Sequence, residues 1–234
     1  MNYEEEIREE LKNWKQKLQK QTPMWERKAK QVQQSITDRI PARVHQALTE
    51  SIRLMTEMTI KGSQWTNLNT AVPESLQEKD EAARRLLSTY KKAAAAEGAL
   101  AGAGGIAAGM ADFPLLLGIK MKFLFEAAAV YGFPPKSLEE RIYILHIFKL
   151  AFSSGPVRLK TLETLELWDT APLKASDMDW QEFQQEYRDH IDLVKMLQLV
   201  PGIGAAVGGA ANFKLLEQLG DTAVKVYQMR VLGK

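Results

Sequence analysis

From Gly98 to Tyr131 the chain reads GALAGAGGIAAGM and then ADFPLLLGIKMKFLFEAAAVY, a glycine–alanine run passing directly into a long apolar stretch. A glycine inside a helix is less favourable than alanine by about 1 kcal/mol, so a helix built through this run needs compensation from close packing or from lipid. The pairs Gly98/Gly102 and Gly105/Gly109 are each four residues apart and leave a bare stripe that another helix backbone can approach. The apolar part is greasy on nearly every side. Leu115, Leu116, Leu117, Ile119, Met121, Phe123, Leu124, Phe125 and Val130 are interrupted only by Lys120, Lys122 and Glu126. A helix of this kind belongs at the centre of a domain or against lipid. The pattern returns a hundred positions later in PGIGAAVGGAANFKLLEQLG, with Gly204/Gly208 as its own four-spaced pair. At that offset Gly102, Gly104, Gly109, Phe113, Leu115 and Leu116 fall on Gly202, Gly204, Gly209, Phe213, Leu215 and Leu216, and Asp112 falls on Asn212.

Glycines at these spacings invite nucleotide readings, which the neighbouring residues remove. Gly104 and Gly109 have the spacing of a Walker A loop, but Met110 and Ala111 stand where lysine and a hydroxyl residue are required. The partial dinucleotide fingerprint from Gly102 follows KKAAAAEG, a helical run, where that motif needs a strand. A membrane span is also disfavoured. An aspartate deep in a bilayer costs about 2.5–3.5 kcal/mol, while each leucine or isoleucine returns about 0.3–0.6. Asp112 therefore roughly cancels the leucines and isoleucines between Gly98 and Ile119 before the glycines are counted. Burial, or shallow reversible membrane contact, is the expectation.

The remaining sequence reads as helices. Ile7, Leu11, Trp14 and Leu18 form one stripe over residues 3–20, acidic at the front and basic at the rear, in the order the helix dipole favours. A second helix is expected across Trp25, Ala29, Val32, Ile36 and Ile40. A third opens at Pro41 and runs through Ile52 and Met55 to about Trp65. The turn-rich run from Gly62 to Ser75 sets a soft boundary between an N-terminal helical arm, residues 1–66, and a body, residues 67–234. Within the body, a charged helix is predicted from Glu74 to about Glu97. The apolar helix ends at Tyr131-Gly132, and Ser137 with Glu140 has capping-box spacing for the next. Leu159, Leu162, Leu165 and Trp168 mark a short helix. Ser176 is expected to cap a polar one to Leu199, and a last helix runs to about Val231. No strand pattern is sustained. The expected fold is all-α, a multi-helix bundle with a central apolar helix and two glycine-rich segments forming a pseudo-repeat.

Few residues invite a chemical reading. The chain has no cysteine, which excludes disulfides and thiolate-held metals. His45, His146 and His190 are scattered, and no GxSxG elbow or HExxH pair occurs. No catalytic residue, metal ligand or cofactor is therefore assigned. A formal charge of +2 over 234 residues gives no electrostatic case for nucleic acid. Candidate ligand or interaction residues are Asp112 and Asn212, with Gly105, Gly109, Gly204 and Gly208 beside them. The simpler reading of both polar residues is that each caps the helix that follows. Trp14 and Leu18 with Lys12 and Lys15 suit a helix lying on an anionic membrane, or an apolar stripe packed on the body. The acidic face of Asp177, Asp179, Glu182, Glu186, Asp189 and Asp192 is most simply solvated. The first residues are too charged for a signal peptide, so a cytoplasmic protein, with a membrane surface as a candidate partner, is expected.

The stretches ADFPLLLGIKMKFLFEAAAVYGFPPKSLEER and PGIGAAVGGAANF resemble the EcsC protein family, and the likeness covers most of the chain after about Glu74. The order is specific: an aspartate before the apolar helix, tyrosine-glycine at its end, an EER helix start, then glycine-rich sequence closing on asparagine. The family name implies a link to a bacterial ABC exporter, as the third product encoded beside an ATPase and a membrane subunit. It implies no reaction and no catalytic residue. The expected function is a non-enzymatic accessory at the cytoplasmic face of the membrane, with ABC exporter subunits as partners. The competing expectation is a hydrolase or a protein handling lipid or another apolar ligand, with a pocket between the two glycine-rich elements.

Overall fold

The computed structural model describes residues 2–20, 42–62, 71–103, 113–171, 179, 181–183, 185–186 and 204–233. They form helices α1 (Tyr3–Lys20), α2 (Ala42–Lys61), α3 (Leu76–Ala103), α4 (Phe113–Val130), α5 (Leu138–Phe152), α6 (Gly155–Glu166) and α7 (Gly204–Leu232). The described residues contain no strand, and the all-α reading holds. The helix expected from Trp25 to Ile40 lies outside the described residues, as do Gly104, Gly105, Gly109 and Asp112.

Helix limits follow local chemistry. Ser75 Oγ accepts from Glu78 N at 3.2 Å while the Glu78 carboxylate accepts from Ser75 N at 3.1 Å, so a full capping box opens α3. Ser137 makes one half of the same box at α5, accepting from Glu140 N at 3.2 Å. Helix α4 ends in a left-handed glycine. Gly132 has φ +91°, its N–H bonds Ala129 O at 3.0 Å, and Phe133 N bonds Ala128 O at 2.9 Å. That pair of bonds is a Schellman motif, which a residue with a side chain would strain.

Two boundaries differ from the sequence expectation. Helix α3 continues past Glu97 into the glycine–alanine run, and the second glycine segment from Gly204 is the first part of α7 rather than a separate segment before a helix capped at Asn212. Packing accounts for both. Helices α3 and α7 run antiparallel along nearly their whole lengths, with Asp80 opposite Gln228, Lys91 opposite Glu217 and Glu97 opposite Asn212. At Gly209 the approach is so close that a Cβ would stand 3.0 Å from the Ala95 carbonyl oxygen. At Gly220 it would overlap the Leu87 side chain, which occupies the space the glycine leaves. The propensity lost at these glycines is offset by contact between the two helices. Gly209→Val is accordingly expected to destabilise by about 2 kcal/mol, measured by urea unfolding. An unchanged midpoint would mean that the seam is not tightly packed.

The element touching the most others is α7, which contacts α1, α3, α4, α5 and α6. Helix α4 lies against α2, α3, α5 and α7, burying Leu116, Leu117, Met121 and Phe123 through Phe125. Helix α1 packs on α6 and α7 through Ile7 and Leu11, with Trp14 and Leu18 partly buried against the same core. Lys15 pairs with Glu166 of α6 at 2.5 Å, and Arg8 donates to the Leu232 carbonyl at 3.1 Å.

Candidate functional site

Asn212 does not cap a helix. It lies inside α7, buried, and its Nδ2 donates to Glu97 Oε2 of α3 at 2.9 Å. The helix runs on through it because Leu215, Leu216 and Leu219 are all buried, which rewards continuing rather than restarting. Gly204 and Gly208 belong to the first turns of the same helix. Glu97 was not singled out from the sequence. Its position was legible, since it continues the spacing of Leu87, Tyr90 and Ala94 on one face of α3. Around Gly209 the seam is closed by backbone contact, leaving no room for a ligand between those two turns.

At the other end of the seam, Asp80 is buried and accepts three hydrogen bonds. Tyr3 Oη reaches Oδ2 at 2.6 Å, Tyr131 Oη reaches Oδ1 at 2.5 Å, and Gln228 Nε2 reaches Oδ2 at 2.7 Å. One carboxylate thus ties α1, α3, the end of α4 and α7. Burial, together with the adjacent carboxylate, pushes both phenols well above the usual tyrosine range, so they stay protonated donors.

A second buried charge organises the same end. Arg230 of α7 forks onto Glu140 with two bonds of 2.7 Å and reaches Asp169 at 2.8 and 3.0 Å. Its guanidinium stands 4.1 Å from the Phe133 ring centre and 4.3 Å from that of Tyr143. Burial works against its charge, but the bonds to Glu140 and Asp169 outweigh it and hold the group firmly protonated. This contact explains the half-made box at Ser137, because the Glu140 carboxylate is engaged across the fold. Tyr143 in turn meets Trp168 edge-on and Tyr227 at a tilt, and Tyr227 stacks on Tyr131. The hydroxyls of Tyr143 and Tyr227 and Nε1 of Trp168 have no hydrogen-bond partner among the described residues.

Of the three histidines only His146 has a described side chain. It is buried against Trp168, and its Nδ1–H donates to the Ile142 carbonyl at 2.9 Å. Burial pushes the imidazole down to about 4, against the opposing effect of that hydrogen bond. An unfolded histidine takes its proton near 6.5, whereas this one takes it only near 4. Stability is therefore lost as pH falls through that window, by about 2 kcal/mol between pH 7 and 5. His146→Gln is expected to shrink the wild-type difference in unfolding free energy between those pH values by a similar amount. An identical pH dependence in both proteins would exclude a neutral buried imidazole.

The acidic face is not simply solvated. Asp179 Oδ1 caps the following turn by accepting from Glu182 N at 2.9 Å, and Ser176, the expected cap, lies outside the described residues. Glu182 pairs with Lys149, and Glu186 accepts from Ser154 N at 3.1 Å, so both tie this segment to the body. Asp177, Asp189 and Asp192 lie outside the described residues. Among the described residues no cluster of three or more histidine or acidic side chains is placed to hold a metal. No helix among them is long and apolar enough to cross a membrane.

Two of the open grooves bear on these residues. One, of about 650 Å³ between α1 and α7, is lined by Trp14, Leu18, Arg84, Arg158, Gln218 and Asp221. Trp14 and Leu18 therefore face the body and this groove, Lys15 is paired, and Lys12 is exposed. The other, of about 350 Å³ between α2 and the start of α4, is almost wholly apolar, with Leu54, Met58, Pro114, Leu115 and Met121 on its walls. Leu54, Met58 and Leu115 are 46, 42 and 58% exposed, a contiguous apolar surface of a kind that marks interaction sites.

These features define an all-helical protein whose buried charges at the α3–α7 seam hold helices together and which carries an apolar groove between α2 and α4. The model of the EcsC protein family matches residues 5–232, and the chain belongs to that family. It is 47% identical over 230 residues to "Protein EcsC" of Bacillus subtilis (strain 168), covering 97% of this chain and 95% of that one. It is also 32% identical over 155 residues to "Uncharacterized protein YdbA" of the same organism, covering 64% of this chain and 57% of that one. No solved structure matches the chain significantly.

Proposed function

We propose that this EcsC-family protein is a non-catalytic accessory that works at the cytoplasmic face of the membrane, beside the subunits of an ABC exporter. The observation that carries the reading is the division of labour among its polar and apolar groups. Asp80, Glu97, Asn212, Glu140 and Arg230 each hold two or more helices together, while Leu54, Met58 and Leu115 face outward along one groove. A scaffold stiffened inside and adhesive outside suits an interaction module. The pseudo-repeat belongs to the same proposal: the two glycine-rich segments, one leading from α3 toward α4 and the other opening α7, act as matched halves, with α4 matching the body of α7. The close contact at Gly209 weighs against the competing picture of an apolar-ligand pocket between them. The test is fractionation of the native protein from cells with the exporter present and deleted, followed by a high-salt wash and cross-linking. Recovery of the protein in the membrane fraction, cross-linked to an exporter subunit, is the expected result. A wholly soluble protein with no such cross-link would defeat the proposal.

A further inference from the structure

The uncharged end of α3, residues 98–103, and the uncharged start of α7, residues 204–213, meet at one end of the seam. From Gly98 to Ala111, and again from Met196 to Phe213, no residue is ionisable. Helix α3 ends within the first stretch, α7 begins within the second, and the antiparallel pairing of Glu97 with Asn212 places these two helix ends together. Helix α4 starts there too. Its far end meets Asp80 through Tyr131, and Phe123 lies against Tyr90 with ring centres 5.9 Å apart, so α4 is antiparallel to α3. Leu100 at this end is 76% exposed, and Leu115, on the first turn of α4, opens onto the apolar groove shared with Leu54 and Met58.

Set back from this tip is a girdle of lysines: Lys92 on α3, Lys122 on α4 and Lys214 on α7, all exposed. Lys214 pairs with Glu217 at 2.8 Å, whereas Lys92 and Lys122 have no ion-pair partner among the described residues. Lys92 is eight residues from Leu100 and Lys122 seven from Leu115, which at 1.5 Å per residue is roughly 10–12 Å along the helices. A peripheral element buries its apolar part by about 5–10 Å at the boundary of headgroups and acyl chains. Lysines at that height, with flexible stems that let the ammonium move toward the phosphates, match an anionic headgroup layer. On the proposed function above rests the following step: we propose that this uncharged tip, rather than α1, is the surface that rests on the bilayer, and that it selects anionic phospholipid. Helix α1 has its apolar stripe committed to the body, with Ile7 and Leu11 buried.

The experiment is co-sedimentation of the purified full-length protein with vesicles of phosphatidylcholine alone and of phosphatidylcholine mixed with phosphatidylglycerol. Wild type is expected to bind the mixed vesicles more tightly, and the preference is expected to fade at high salt. A lysine near an anionic surface is worth about fivefold in partitioning, so Lys92→Gln with Lys122→Gln is expected to weaken binding at least tenfold. Leu100→Gln with Leu115→Gln is expected to weaken binding on both kinds of vesicle, by roughly tenfold or more. Lys12→Gln on α1 serves as the control and is expected to bind as wild type does. These positions are exposed, so equal thermal melting separates lost binding from lost folding. Binding that is unchanged in both tip variants would overturn the tip assignment while leaving membrane association standing. A wild type that ignores all protein-free vesicles but needs Leu100 and Leu115 to join exporter-containing membranes would overturn lipid as the occupant in favour of a protein partner. In that event the exporter reading survives, because fractionation with and without the exporter tests it separately.

Discussion

Asp80→Ala is expected to destabilise the protein by about 3–5 kcal/mol. The loss comes from the donors left behind rather than from the carboxylate removed. Tyr131 Oη and Gln228 Nε2 are buried and would lose their acceptor, while Tyr3 Oη, only partly buried, can turn to water. An unpaired buried donor costs about 1–3 kcal/mol, and bonds to a charged acceptor are about twice as strong as neutral ones. Asp80→Asn keeps one acceptor oxygen but turns an amide N–H₂ toward donors, so it is expected to fall between alanine and wild type. Tyr131→Phe removes a donor without orphaning one and is expected to cost only about 1 kcal/mol. Because Tyr3 is one of the three donors, amide exchange in α1 should accelerate in Asp80→Ala beyond the global change. Urea unfolding and hydrogen exchange measure both effects. A loss below 1 kcal/mol would mean that Asp80 is not the buried junction described.

Arg230→Met is expected to cost about 3 kcal/mol, the lower end of the range for breaking a buried ion pair. The lower end applies because Asp169 is partly exposed and can be solvated again, whereas Glu140 is more enclosed. Arg230→Lys keeps the charge but loses both the fork onto Glu140 and the flat stacking on Phe133 and Tyr143, so it should not restore wild-type stability. Glu140→Gln in the Arg230→Met background is expected to recover part of the loss, since the uncompensated charge is then gone. Strict additivity of the two substitutions in a double-mutant cycle would contradict a direct pair. The two junctions are independent enough for separate tests: Asp80 fastens α1 and α3 to α7, while Arg230 fastens α5 and the turn after α6 to it.

Both junctions interrupt apolar stripes, and that is how the sequence could have betrayed them. Asp80 falls between Leu76 and Ala83, and Glu97 follows Tyr90 and Ala94, each at the three-and-four spacing of the buried face of α3. Arg230 sits likewise after Ala223, Val226 and Tyr227 on α7. A charge on a buried face needs a partner, so these positions announce a buried pairing without naming its other member. The place of Asn212 after a glycine run suggests a cap or a ligand residue, whereas it lies inside α7 and bonds Glu97. The seam wanted a hydrogen-bond donor to Glu97, not a cap.

The sequence by itself determined what depends on neighbours along the chain. It determined the all-α class, the glycine that ends α4, the serine that opens α5 and the EcsC family pattern. These rest on dihedral preferences, capping bonds and helical periodicity, all satisfied within a few residues. Tertiary structure decided the rest: that α3 continues into its glycine run and α7 begins within its own, packed on each other, and that α1 spends its stripe on the body. It also decided that Asp80, Glu97 and Arg230 find partners on distant helices. Periodicity shows which face of a helix is buried. What lies across from that face depends on how helices far apart in the chain are brought together, and the physical reason is that packing free energy is shared between two surfaces, only one of which is visible in any local stretch.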